Sequence, residues 1–299
     1  MIDEEALKKL VKAGEIAKRV REYAEKLVKP GAKLLDIAEL LEKRIRELGG
    51  EPAFPVNIGI NEVAAHYTPV LSDVTMLPDN SIVKIDIGVH VDGFIADTAV
   101  TISLNPAFEG LVEAARLALE KALEAFRPGI RASELGSVIE KAIKSAGYKS
   151  IKNLSGHGMA RYVIHSGVTI PNFGDVFSWH RLEEGVYAIE PFATNGVGLV
   201  EEAPLVTIYA LKQKTRRLLQ QAEHFYNKVY GERRTLPFTL RWYVRSADEY
   251  SSALEVLNLL KKCKCLVEYP VLVEKGRGLV SQFEHTIVVL KNEVVVTTA

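Results

Sequence analysis

The chain has 299 residues, 47% of them hydrophobic and 25% charged, with 38 Lys and Arg balancing 38 Asp and Glu. This composition suits one large or two ordinary soluble domains, and a zero net charge excludes a whole-protein nucleic-acid footprint. No apolar run approaches the roughly 20 residues of a membrane span, and the acidic start Met1-Ile-Asp-Glu-Glu lacks the basic and apolar segments of a signal peptide. Residues 3–28 predict a helix, with Leu7, Leu10, Val11, Ala17, Val20, Ala24 and Leu27 near helical spacing and Pro30-Gly31 as the stop. A second helix over 35–48 ends at Gly49-Gly50. The same pattern returns in a helix over 107–126, stopped by Pro128-Gly129, and another over 133–146, stopped by Gly147. Offset by 98, the breakers agree and so do the pairs Ile37/Leu135, Glu42/Glu140 and Ile45/Ile143. Each copy leads into strands: a hairpin over 81–102 in the first, and strand-like segments near 163–170, 186–192 and 279–297 in the second. Two helix-helix-sheet halves predict an α+β fold with a pseudo-two-fold axis, helices on one sheet face and a site on the other, where the halves meet.

Residues 205–270 interrupt the second half. Helices over 211–230 and 247–262, joined through Leu236-Pro237-Phe238, predict a helical insertion with a short strand at 266–273. The expected division is therefore 1–204 plus 271–299 as the main domain and 205–270 as the insertion. The insertion carries 12 Lys and Arg against 6 Asp and Glu, net +6, and the remainder is net −6. Cys263-Lys-Cys265 is too tight for an ordinary disulfide and too small for a zinc ribbon, and reads as reduced thiols in a cytoplasmic protein.

The chemistry begins in the hairpin. Asp92-Gly93 suits a type I′ turn, which needs positive φ at both central residues and sets Asp97 opposite Gly88. A loop at Val91-Asp92 would set Asp97 opposite Asp86. Either register leaves both carboxylates on one face, with Cβ atoms roughly 4.5–8 Å apart. Two such charges on an apolar sheet need a counter-charge, and divalent cations are the natural one. Three more segments offer donors. Ser155-Gly156-His157-Gly158 holds a histidine where the backbone can approach closely. Val186-Tyr-Ala-Ile-Glu190-Pro191-Phe192 and Leu279-Val-Ser-Gln-Phe-Glu284-His285 hold carboxylates in apolar strands. Each alone equally suits a surface loop or an edge strand. Four carboxylates and an imidazole, each badly placed for a bare charge, together favour a dinuclear centre of Mn, Fe, Co or Zn.

These segments, in this order, resemble the methionine aminopeptidases of the creatinase and prolidase, or pita-bread, fold. The match rests on Ala65-His66-Tyr67-Thr68-Pro69, Asp86-Ile-Gly-Val-His-Val-Asp-Gly-Phe-Ile-Ala-Asp97, Ser155-Gly-His157-Gly, His165-Ser-Gly-Val, Ala188-Ile-Glu190-Pro-Phe and Gln282-Phe-Glu284-His-Thr. It covers nearly the whole chain. The insertion resembles the winged-helix-like one of type II members, and the absence of a charged N-terminal extension points to the archaeal form. The resemblance implies two metal ions: Asp86 on one, Asp97 and Glu284 bridging both, His157 and Glu190 on the second. It places His66 and His165 beside them as catalytic and substrate-binding groups, gives Glu190 a proton-shuttling role, and puts Phe54, Ile164 and Phe192 around the methionine side chain. His285 is expected to support Glu284.

The implied reaction is removal of N-terminal methionine from nascent proteins and peptides. Two metals acidify a water, which attacks the first peptide carbonyl, and a tight site prefers a small second residue. The implied partners are peptide N-termini, met by a cytoplasmic monomer with no membrane attachment. The basic insertion, with Lys212, Lys214, Arg216, Arg217, Arg233 and Arg234, adds an expectation of weak ribosome association, set against ordinary solvated helix faces. Two alternatives remain: a proline-directed metallopeptidase, which usually carries a further N-terminal domain, and a non-enzymatic protein- or RNA-binding relative, which loses metal ligands.

Overall fold

The computed structural model describes residues 2–214, 218–291 and 293–299. Helix α1 (Glu4–Leu27) opens on Asp3, whose side chain accepts from Ala6 N, and α2 (Leu34–Glu47) follows it. They bury Ile16, Val20, Leu34, Ile37, Leu41 and Ile45 against the strands Asn57–Ile60, Ile82–Val91 and Phe94–Ser103. Helices α3 (Glu109–Ala125) and α4 (Ala132–Ser145) repeat the arrangement, burying Leu119, Leu135, Ile139 and Ile143 against Gly185–Ile189 and His285–Val289. A shift of 98 residues takes the limits of α2 onto those of α4, and the short strand Glu51–Pro52 onto Lys149–Ser150. The backbone repeats as well: Gly31 and Gly129 have φ of 76° and 77°, Gly49 and Gly147 have 84° and 85°. The duplication read from breakers and apolar spacing is thus a duplication of conformation.

Among the described residues the strand pairings are all antiparallel. The hairpin Ile82–Val91/Phe94–Ser103 pairs Val91 with Phe94 and Gly88 with Asp97, the register of an Asp92-Gly93 turn. The second half builds a sheet in the order Val294–Val296, His285–Val289, Gly185–Ile189, Ser155–Met159, Thr169–Pro171. Of the strand segment expected near 163–170 only the end is a strand, Thr169–Pro171; residues 163–168 form a loop, and Ser155–Met159 is a further strand whose glycines hid it from β-propensity reasoning. A β-bridge between Ala99 and Glu284 joins the two halves.

The insertion rises from a ribbon of Val200–Leu211 paired with Leu266–Glu274, a longer strand pair than the sequence suggested, and the limits expected at 204/205 and 270/271 fall within it. The β-rich run Val206-Thr-Ile-Tyr-Ala-Leu211 continues that ribbon, so the first insertion helix, α5, starts only at Gln220 and runs to Arg233, and α6 spans Ala247–Lys262. They close over Leu218, Tyr226, Phe238, Leu240, Leu257 and Leu260, a core of the insertion's own.

Candidate metal centre and active site

The pairing pattern alone puts the predicted donors on one face. Directly paired residues, and residues two apart in a strand, share a face. Asp86 pairs with Ala99, and Ala99 bridges to Glu284. Two residues on from Glu284, Thr286 pairs with Ala188, which pairs with His157. Two residues on from Ala188 stands Glu190, and two before Ala99 stands Asp97. The strand ends at Ile189, Glu190 stands just past it before Pro191, and from there the chain joins a separate three-stranded sheet in which Phe192 pairs with Gln282.

The five side chains meet in a cavity of about 370 Å³ that is also lined by His66, His165, Phe54, Ile164 and Phe192, so the expected metal ligands and substrate-binding residues line one space. Ligating atoms of Asp97, His157 and Glu284 lie within 4.8 Å of one another. His157 Nε2 is 3.6 Å from Asp97 Oδ2 and 3.6 Å from Glu190 Oε1. Burial pushes Asp86 up to about 7. Asp97, Glu190 and Glu284 are pushed well above the carboxylate range by burial first and then by neighbouring carboxylates, Asp86 for Asp97 and Glu190, and Asp97 for Glu284. Burial and the neighbouring His165 lower His157 to about 3, so its ring is neutral, the form that ligates metal. Asp86 Oδ1, Asp97 Oδ1 and Glu284 Oε1 are buried without a hydrogen-bond partner. Unpaired buried carboxylate oxygens are costly, and hard divalent cations fit this donor set. The chain thus holds a buried Asp/His/Glu group able to bind metal.

His66 ends the strand Val63–Ala65 with φ of 65°, a conformation few non-glycine residues adopt. Its Nδ1 lies 3.2 Å from the Pro270 carbonyl, and burial lowers its pKa to about 4. As a neutral ring donating from Nδ1, it offers a free lone pair at Nε2 to the cavity. His165 stands in the loop after Ser155–Met159, its ring 4.5 Å from that of His157. Phe54 and Ile164 share an apolar cluster with Ala53, Ile95, Met159, Ala188 and Leu236. Phe192 belongs to another, with Ala64, Ile151, Val200 and Val280.

Sequence reasoning missed several contributors. Gln282 donates toward Glu190 Oε2 at 3.3 Å and Glu284 Oε2 at 3.4 Å; its place two residues before Glu284, on the same face, was the available signal. Tyr269, inside the expected insertion, sets its ring 5.5 Å from His66 and 6.2 Å from His165, and no motif marked it. Asn57 and Pro237 also line the cavity. His285 does not touch the Glu284 carboxylate. Adjacent strand residues face opposite ways, and it bonds Thr298 Oγ1 at 2.8 Å behind the strand. Of the basic residues named in the insertion, Arg233 is buried and Lys214 pairs with Glu223, while Lys212 and Arg234 are exposed. Arg216 and Arg217 lie outside the described residues.

The sequence matches metallopeptidase family M24 over residues 8–291. It is 50% identical to a methionine aminopeptidase of Pyrococcus abyssi over 97% of this chain and 98% of that one. Among solved structures it resembles a thermophilic Arx1 (TM-score 0.83, 21% identity, 99% of this chain and 91% of that one) and the methionine aminopeptidase of Thermotoga maritima (TM-score 0.70, 22% identity, 100% and 98%). Those two likenesses establish the fold, whose scaffold is the pita-bread one, and the 50% identity goes further. The chain belongs to metallopeptidase family M24 and, within it, to the methionine aminopeptidases.

Proposed function

We propose that the chain hydrolyses the first peptide bond of chains that begin with methionine, using two divalent cations held by Asp86, Asp97, His157, Glu190 and Glu284. The removal of N-terminal methionine follows from its family membership; the roles of individual residues are inferred from their placement. The observation that carries the reading is the convergence of ligands from both halves of the repeat on one cavity. Two divalent charges balance four carboxylates there. When bound, such ions supply Lewis acidity, making a water nucleophilic near neutral pH and polarising the scissile carbonyl. Glu190 takes the proton from that water and passes it toward the departing amine. His66, neutral and aimed from Nε2, accepts from the amide beyond the cleaved bond, and His165 donates toward the carbonyl oxygen. Gln282 holds Glu190 and Glu284 in register. Phe54, Ile164 and Phe192 take the methionine side chain, whose polarisable thioether suits aromatic edges. The confined cavity favours a small second residue.

The decisive experiment offers the metal-reconstituted protein Met-Gly, Met-Pro, Met-Leu and Xaa-Pro peptides, with products identified by mass. Release of methionine from Met-Gly in preference to Met-Leu supports the reading. Cleavage confined to Xaa-Pro bonds identifies a proline-directed enzyme instead.

The physiological substrates on this reading are nascent N-termini, met by a monomer in the cytoplasm. No helix among the described residues is long and apolar enough to cross a membrane. Weak ribosome contact through the insertion would rest on Lys212, Arg234 and their exposed neighbours rather than on Arg233. Reversing Lys212 and Arg234 should reduce co-sedimentation with ribosomes at low salt, and a parent protein that never pellets removes this role.

A further inference from the structure

Arg233, the last residue of α5, is buried at 6% exposure, and among the described residues no carboxylate hydrogen-bonds it. Its Nη2 donates to three backbone carbonyls: Pro52 at 2.7 Å, Ala53 at 3.1 Å and Pro237 at 3.1 Å. The guanidinium carbon lies 4.8 Å from the centre of the Trp242 ring. Two of these carbonyls lead directly into Phe54, and the third belongs to a residue that lines the cavity. Between Arg233 and Pro237, Leu236 packs in the cluster that holds Phe54 and Ile164. The same turn is tied to the segment before Ile164 by Thr235 Oγ1, which donates to Tyr162 O at 2.6 Å. Three walls of the apolar pocket, from the first half, the second half and the insertion, therefore converge on one turn with a buried cation at its root.

Three carbonyl oxygens aimed at one point need donors, and burying a guanidinium is costly unless its bonds are fixed. An apolar side chain would satisfy packing and leave the carbonyls unpaired. We infer that Arg233 is a positioning residue for substrate selection. It sets the gap between the Phe54 segment and the Leu236-Pro237 turn, and so the width of a slot for an unbranched side chain over a branched one. The inference rests on the methionine-releasing reading. It also makes the insertion a wall of the specificity pocket rather than an appended lobe.

The test compares the metal-loaded parent, Arg233→Met and Arg233→Lys on one peptide series whose first residue is methionine, norleucine, leucine or isoleucine. Metal content and melting temperature are measured alongside. In Arg233→Met, KM for the methionine peptide should rise about tenfold and kcat stay within about threefold, on the scale of one misplaced methylene in a pocket. The methionine-to-leucine ratio of kcat/KM should fall about tenfold. Arg233→Lys, which keeps a donor, should fall between. Leu236→Ala widens the slot without touching the arginine and should lower the same ratio; it decides the matter if Arg233→Met does not fold. An unchanged ratio in a folded variant overturns the inference, as does an equal loss on all four peptides accompanied by loss of metal. A parent that releases no methionine would overturn the functional reading itself.

Discussion

The ring of Phe54 lies so close over Gly88 that a Cβ there would stand 2.3 Å from its Cε1 atom. Gly88 is also the cross-strand partner of Asp97. One glycine therefore couples the apolar pocket to the carboxylate cluster. Gly88→Ala should displace the Phe54 ring, raise KM for methionine substrates and cost about 1–3 kcal/mol in stability, the usual penalty for overpacking. Steady-state kinetics and denaturant titration check both, and a variant with parental KM would show that the ring is free to yield.

Much of this arrangement was legible in the sequence because period-2 alternation and breakers are local. Asp92-Gly93 marked the hairpin and narrowed it to two registers, of which the structure adopts the one with Asp97 opposite Gly88, and Pro30-Gly31 and Pro128-Gly129 exposed the repeat. What remained hidden depended on distant contacts. The strand of His157 is rich in glycine, and only its pairing with Gly185–Ile189 makes it a strand. Tyr269 and Arg233 gain their meaning from segments some 180 to 200 residues away. The basic count of the insertion included arginines that tertiary structure buries.

Removing Asp97 takes a donor from the point where both halves meet. Asp97→Ala should abolish metal-dependent hydrolysis while circular dichroism shows an intact fold, since the change also relieves repulsion among buried carboxylates. Full activity after chelation and re-addition of metal would rule out the dinuclear arrangement.

Metal should stabilise the protein more as pH rises. The carboxylates, with Asp86 at about 7 and the others raised well above their ordinary values, hold protons in the metal-free fold that the unfolded chain has lost by about pH 5. Their contribution to metal-free stability therefore falls as pH rises from about 5 through 7. Divalent metal must displace those protons, so its affinity climbs over the same window. Buried neutral His66, His90 and His285, lowered to about 4, 4 and 3, act in the opposite sense, but in both samples. The difference in Tm between metal-loaded and chelated protein should widen from pH 5 to pH 8. A constant difference would mean that the carboxylates are already ionised in the metal-free fold.

His66→Ala and His165→Ala should each lower kcat by roughly 10²-fold, the scale of a lost proton-transfer or electrostatic group. Elemental analysis should find parental metal content in both. Loss of metal would move the histidine concerned into the ligand set.

The insertion is fastened to the first half by a buried ion pair. Arg241 Nη1 meets Glu42 Oε2 at 2.6 Å and Nη2 meets Oε1, while Trp242 Nε1 donates to Glu42 at 2.8 Å. Arg241→Met leaves a buried carboxylate without its cation and should cost about 3–5 kcal/mol. Glu42→Gln together with Arg241→Met should recover part of that loss, and equal destabilisation by the single and double variants would argue against the pairing.

Thr298 joins α1 to the strands of Asp97 and Glu284. Arg21 in α1 reaches the Thr298 carbonyl at 2.9 Å and also bonds Thr98, whose hydroxyl donates to the Glu284 carbonyl at 2.8 Å. Thr298 Oγ1 in turn accepts from the Thr286 amide at 3.0 Å, and Thr286 Oγ1 accepts from the Asp97 amide at 2.7 Å. The strands that present Asp97 and Glu284 are thus backed by Thr298, which Arg21 holds across a separation of 277 positions. The geometry of the carboxylate cluster is thereby tied to the seating of α1, on the opposite side of the sheet from the cavity it serves.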